Sequence, residues 1–382
     1  MNLDFSEEQK ALKDQVRRFL DARCPPSAVR TILEGAEPFD RALYAGLAEL
    51  GVLGAAIPEE YGGVGLSHLE LCVLAEELGR ALAPVPAASS LYLAAEFLLQ
   101  AGSEAQKKAW LPRLANGKAV GTFAFVEGQG RMTPDKIQAV VANGRLSGVK
   151  SPVADGDAAD MAIVAARSGN ANGSGRGEQA ISLFIVDLAG PGVVRETLKS
   201  IDPTRSQTKI TFDNAPVEPL GNEGDGWHVT TQVMDRAAIL MAFEQLGGAD
   251  RALEMARDYA LERMAFGRPI GSFQAIKHML ADMYVSATLA RSNCYYAAWA
   301  LASGAVELPV AAATARVSAT TAFQHCAKNN IQVHGGMGFT WAFDCHLFYR
   351  RSNALALALG SLSTWESLLI ERMSAGNLEA AS

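Results

Sequence analysis

From Val120 to about Leu220 the sequence runs in short apolar pieces: "GTFAFV", "IQAVVA", "RLSGVKS", "MAIVAAR", "ISLFIVDL" and "TKITFDN". Each is rich in β-branched or aromatic residues and set off by turn formers, which predicts an antiparallel β unit. The flanks carry a different period. Upstream, "FSEEQKALKDQVRRFLDA" opens on Ser6 with Gln9 three residues later, a capping-box pattern, and Phe5, Leu12, Val16, Phe19 and Leu20 recur near helical spacing. "HLELCVLAEELGRALA" repeats that spacing with Gly79 as the expected stop, and "SEAQKKAWLPRLANGK" predicts a further helix ending at Asn-Gly. Downstream, from "GDGWHVTTQVMDRAAILMAFEQLGGADRALEMARDYALERMAFG", the helical period returns and holds to the C-terminus. Those helices are apolar on more than one side, as suits packing against several neighbours, including another subunit. The expected order is a helical domain (1–118), a β domain (119–222) and a helical bundle (223–382). A chain of 382 residues suits two or three packed units.

With 49% hydrophobic residues, a formal charge of -7 and no Lys/Arg cluster, neither nucleic acid nor an anionic membrane surface is an expected partner. No apolar run approaches a membrane span, and "MNLDFSEEQK" lacks the basic and apolar regions of a signal peptide. Cys24, Cys72, Cys294, Cys326 and Cys345 are scattered and without CxxC, which fits a reduced, cytoplasmic setting with each cysteine a small core residue. The six histidines form no pair at metal-ligand spacing, so no metal site is expected.

Within the C-terminal helical region, "ERMAFGRPIGSFQAIKHMLADM" contains a break. The helix reaching Leu261 runs into Phe266-Gly267-Arg268-Pro269 and restarts at Ser272-Phe273-Gln274. Gly267 permits a left-handed backbone and so is the expected helix stop, and Pro269 cannot continue a helix. Glycine motifs elsewhere differ in weight. "GGVGLSH" lacks a third glycine, and Gly173, Gly175 and Gly177 sit in the polar stretch "RSGNANGSGRGE" with no strand feeding a helix, so neither is a Rossmann fingerprint. "NNIQVHGGMGF" is better placed. Gly335 and Gly336 let a phosphate-bearing ligand approach the backbone, and Gln332 can donate from its amide; the alternative is a tight helix-to-helix turn.

Taken together, Arg-x-x-Phe-Gly followed by Phe-Gln, then Gln-x-His-Gly-Gly-x-Gly, resemble the acyl-CoA dehydrogenase family. "PEEYGGVGLSHLELCVLAEELGR" and "PLGNEGDGW" resemble it too, and the likeness covers nearly the whole chain in order. It implies a mainly α protein with a central β domain: an N-terminal helical domain, an antiparallel β-barrel-like middle domain and a C-terminal four-helix bundle. It also implies FAD, an acyl-CoA substrate of lipid metabolism, electron-transfer flavoprotein as acceptor, and a homodimer or a tetramer. In the resemblance the broken helix serves the FAD of a neighbouring subunit. Arg263 forks to the pyrophosphate, Phe266 packs on the cofactor and Gln274 hydrogen-bonds from the restarted helix. Gln332, Gly335 and Gly336 approach the adenosine-diphosphate half, the whole apparatus being divided between two chains. The other reading of Arg263 is an ion pair with Asp258 or Glu262.

The family's reaction removes a proton α to a thioester and a hydride from the β carbon, so a carboxylate must face the α carbon in a dry pocket. The family places it in one of two positions. An ungapped count from His334 puts the first at or next to Leu359, and a count back from Arg263 puts the second at Ala237, followed by Ala238 where an arginine belongs. Neither carries an acid. Glu366 is displaced from Leu359, and Glu244 lies seven residues past Ala237, roughly 10 Å along a helix, in an apolar stretch where a charge is costly unless paired. Glu244 is therefore both the candidate base and a candidate bundle ion-pair partner. In the β domain Val126 and Val153 stand where hydroxyl residues are usual near the flavin, and Gly128 replaces a proline. Three functions stay open: FAD-dependent α,β-dehydrogenation of an acyl-CoA with a bulky acyl group; a non-catalytic subunit completing the FAD site of a heteromeric dehydrogenase; and a related flavin monooxygenase, which needs no such carboxylate.

Overall fold

The computed structural model describes residues 5–168 and 177–380. Residues 169–176, most of the polar stretch "RSGNANGSGRGE", lie outside the described residues. The chain packs as two compact units, one made of Met1–Arg30, His68–Ala83 and Ala238–Ser382, the other of Thr31–Ser67 and Pro84–Ala237. Eleven α-helices are described: α1 (Glu7–Arg23), α2 (Pro26–Glu34), α3 (Arg41–Glu49), α4 (His68–Arg80), α5 (Glu96–Ala101), α6 (Glu104–Ala115), α7 (Gly226–Glu262), α8 (Gln274–Ser303), α9 (Leu308–His334), α10 (Cys345–Leu357) and α11 (Leu362–Ala380). No helix among the described residues is long and apolar enough to cross a membrane.

The unit containing the β domain is built on one large sheet. Its strands are β1 (Gly121–Ala124), β2 (Val140–Ala142), β3 (Arg145–Ala154), β4 (Met161–Ser168), β5 (Ile181–Asp187), β6 (Val193–Leu198), β7 (Gln207–Pro216) and β8 (Glu218–Leu220). They are ordered β6-β7-β3-β2-β4-β5-β8, with β1 added on β4. The sheet is mixed rather than purely antiparallel, because β1 and β2 both pair parallel to β4. A register shift between Lys150 and Val153 interrupts the β3–β7 ladder. Burial explains which strands were legible. β4 and β5 carry buried apolar runs, whereas β6, "VVRETL", is mostly exposed and was not anticipated. A π-helical stretch, Ala88–Ala95, was also missed; all eight residues are buried, so no polar face gives it a period.

The other unit is a bundle of long helices whose centre includes Leu240, Phe243, Leu246, Ala249, Ala312, Ala319 and Phe323. Its first helix, α1, begins with the expected capping box, with Ser6 Oγ accepting from Gln9 N and Gln9 Oε1 accepting from Ser6 N. Gly79 does not stop α4, which continues to Arg80. A Cβ on Gly79 would lie 1.8 Å from Glu244 O, and one on Gly247 would lie 1.8 Å from Glu76 O, so these glycines let α4 and α7 cross at backbone distance. All five cysteines are buried. Burial pushes the Cys326 and Cys345 thiols up to about 12, away from thiolate chemistry at neutral pH.

Candidate active site

The break after α7 is a hairpin. α7 ends at Glu262, before Gly267, and two short strands, β9 (Met264–Ala265) and β10 (Arg268–Pro269), pair antiparallel across Phe266 and Gly267. Both tip residues have positive φ, 52° and 79°, as a two-residue hairpin of the left-handed type requires. Gly267 is therefore the tip of a turn and not the helix stop. That turn pushes Phe266 outward until it is 96% exposed. α8 then restarts at Gln274, with Arg268 stacked 4.1 Å over the Phe273 ring.

Arg263 is exposed, and its side chain makes no ion pair with a described residue; Asp258 is taken instead by Arg257 at 2.7 Å. The simple ion-pair reading of Arg263 is thereby removed. Tyr259, one turn before Arg263, stacks on His334 at 4.0 Å, and His334 is the last residue of α9 before Gly335. The hairpin and the glycine turn thus sit at one end of the bundle in a single chain. Within one chain, the hairpin and the glycine turn are therefore neighbours. His334 Nδ1–H donates to Asn330 O at 2.8 Å, and burial lowers the imidazole's affinity for a proton, so the ring is a neutral support.

Gly335 has φ +59°, and added Cβ atoms at Gly335 and Gly336 would meet nothing within 4 Å. Gln332 and Gln274 are exposed. An unengaged guanidinium, an outward phenyl ring, two exposed amides and an open glycine backbone fit a dinucleotide, with the cation for its pyrophosphate and the bare backbone for close approach.

The positions where a base is expected are different in kind. Leu359 holds φ 61°, a conformation costly for a leucine, by about 1–3 kcal/mol. Its carbonyl accepts from Trp365 Nε1 at 3.0 Å, and the buried Arg316 donates to Leu355 O and Ala358 O, each at 2.5 Å. Leu359 packs in a cluster with Ala238, Ala313 and the buried Trp365. The turn keeps a special backbone shape while its side chain is apolar. Ala237 is buried, and Glu366 is exposed on α11. Glu244 is 1% exposed and lies 3.8 Å from Arg351 Nη1, itself 1% exposed. That places it as a paired acid inside the bundle.

In the other unit, the turn following β1 carries Phe125, Val126, Glu127 and Gly128. Gly128 has φ +92° and open space around it. Trp227 packs 5.8 Å from Phe125. Beneath this turn lies a lysine that sequence reasoning missed. Lys150 Nζ donates to Glu127 Oε1 at 2.5 Å, to Ala165 O at 2.6 Å and to Phe125 O at 3.2 Å, with its side chain 0% exposed. One lysine within a strand and one glutamate after another carry no spacing signal that would pair them.

These features fit a dinucleotide-binding protein of helical, β and helical build. Residues 6–118 match the N-terminal domain of acyl-CoA dehydrogenases, and residues 224–373 match their C-terminal domain. The chain is 33% identical over 356 residues to the acyl-CoA dehydrogenase IpdE2 of Mycobacterium tuberculosis, covering 93% of this chain and 94% of that protein. It superposes on a chain of the ChsE4-ChsE5 complex from Mycobacterium tuberculosis with a TM-score of 0.88 and 28% identity, covering 98% of this chain and 99% of the other. A variant of the Tcur3481-Tcur3483 steroid ACAD gives 0.86 and 30%, with 98% and 99% covered. The chain belongs to the acyl-CoA dehydrogenase family. It is an enzyme of that class, and its cofactor is FAD, as in the rest of this family of flavoproteins.

Proposed function

We propose that this chain takes part in α,β-dehydrogenation of a bulky acyl-CoA thioester as one subunit of an assembly, with the proton-abstracting carboxylate supplied by a related partner chain. The carrying observation is the Leu359 turn: the backbone shape is kept, but the side chain is a leucine packed with Trp365 and Ala238. Glu244, the remaining candidate base, is buried 3.8 Å from Arg351 Nη1. The names of two structural neighbours, the ChsE4-ChsE5 complex and the Tcur3481-Tcur3483 steroid ACAD, support a two-chain assembly and a bulky acyl group. Bound FAD supplies the hydride acceptor. The chain's own part is to hold it, with Arg263 on the pyrophosphate, Phe266 against the cofactor, Gln274 and Gln332 donating, and Gly335 and Gly336 giving backbone access. Electron-transfer flavoprotein is the proposed electron acceptor. We also propose functional boundaries near 118 and 222 and a cytoplasmic setting.

A second reading, activity of the chain alone, rests on Glu244 lying in α7, the helix that carries Ala237. The two are separated by anaerobic mixing of the FAD-loaded chain and Glu244→Gln with a panel of acyl-CoAs, following flavin bleaching. The partner reading expects weak bleaching by both. Strong bleaching lost in Glu244→Gln, with FAD still bound, would make Glu244 the base and the chain self-sufficient. Strong bleaching that survives Glu244→Gln would sink both readings.

A further inference from the structure

Lys150 is a fully buried ionisable group in the β-domain unit that the reading above leaves without a task. Its ammonium is fully enclosed, and burial pulls its pKa down to about 8 in spite of the Glu127 carboxylate, so it remains largely charged at neutral pH. A buried ion pair rarely stabilises a fold better than a well-packed apolar pair of similar volume, so its presence calls for another explanation. The hydrogen bonds point to one. Of the three acceptors of Lys150 Nζ, Phe125 O and Glu127 Oε1 belong to the turn after β1, and Ala165 O belongs to β4. Glu127 in turn accepts from Gln138 N at 2.7 Å and Ala139 N at 3.2 Å. Ser151 N, next to Lys150, donates to Val126 O at 2.9 Å. The short piece Phe125–Glu127 is thus tied to β3, to β4 and to the segment entering β2. Beyond it, at Gly128, the backbone is open.

We propose that Lys150, through Glu127 and Phe125 O, is the positioning residue that fixes the backbone of the Phe125–Gly128 turn against the flavin ring. This rests on the flavin reading of that turn. Val126 offers no hydroxyl, so the turn has only its main-chain groups to present, and main-chain groups act on a ring only when the backbone is held in place. Lys150 and Glu127 do not themselves touch the cofactor.

The test is FAD titration, with the visible spectrum of the bound flavin, for wild type, Lys150→Met, and the double variant Lys150→Met/Glu127→Gln. The double variant leaves no uncompensated buried charge and guards against a single variant that does not fold. The expected result is a double variant with the wild-type circular dichroism and unfolding midpoint, but with FAD bound about tenfold more weakly and its absorption bands shifted. Lys150→Met, where folded, should show at least the same loss. Wild-type FAD affinity and spectrum in the folded double variant would overturn the proposal while leaving the flavin reading intact. Failure of wild type itself to bind FAD would overturn the flavin reading, and the role of Lys150 with it.

Discussion

Arg263 is the residue whose alternatives the structure narrows most. On sequence alone it had two uses, a ligand for pyrophosphate or a partner for Asp258 or Glu262. In the structure Asp258 is engaged by Arg257, and Arg263 stands exposed beside the hairpin, with no ion-pair partner among the described residues. A charge-assisted fork to a phosphate is worth about 1.5–3 kcal/mol. Arg263→Ala should therefore weaken FAD binding by about one to two orders of magnitude, read from flavin occupancy after gel filtration. Full retention of flavin by a monomeric Arg263→Ala protein would remove Arg263 from the site. The absence of an acid at Leu359 and Ala237 was legible because it needed only a count along the chain. The pairing of Glu244 with Arg351, like that of Lys150 with Glu127, was not, because it links residues brought together only by packing.

Among the elements, glycines show most clearly what a single sequence can and cannot convey. Gly267 was correctly read as a place of left-handed backbone, but its use is the tip of a two-residue hairpin, which needs Phe266 left-handed as well. Gly79 was read as a helix stop from its position near the end of a periodic run. Its actual role is set by another helix, where Gly247 makes the reciprocal approach, and nothing local to either glycine reports that. The consequence is testable. A methyl group at 247 would fall 1.8 Å from the backbone oxygen of Glu76, an atom that cannot swing aside. Gly247→Ala gains a little helix propensity, up to about 1 kcal/mol, yet overpacking of this kind costs about 1–3 kcal/mol or more. Urea unfolding should show a net loss of stability. A midpoint equal to or above wild type would mean that the α4–α7 crossing is looser than the structure has it.

At the scale of the whole molecule, the helical–β–helical order was legible because the hydrophobic period changes twice. The long C-terminal helices were also recognisable as apolar on more than one side, and α8 shows what that implies. One face, with Met283, Ala287, Ala290, Cys294 and Ala297, is buried in the bundle. The same side of the helix anchors Arg291, which pairs with Glu76 at 2.9 Å and with Asp250. Val285, Leu289 and Tyr296 lie about half a turn of the helix away from that face and are exposed, as is Tyr284 beside them, with Leu289 at 61%. An exposed apolar strip of this kind, interrupted by Ser292, on a helix otherwise well packed suits a surface for another chain, and the proposed assembly supplies one of the same family. The hairpin end of α8 also begins at Gln274, so an assembly formed along this face would hold the cofactor residues in place. Wild type should therefore behave in sedimentation as a dimer or larger, either of itself or with a related chain. Leu289→Glu, which puts a charge in the middle of the strip, should shift it toward monomer and lower flavin retention in step. A monomeric wild type that keeps its FAD at micromolar concentration would defeat the shared-site view. A Leu289→Glu protein that remains oligomeric would move the interface to another face of the bundle.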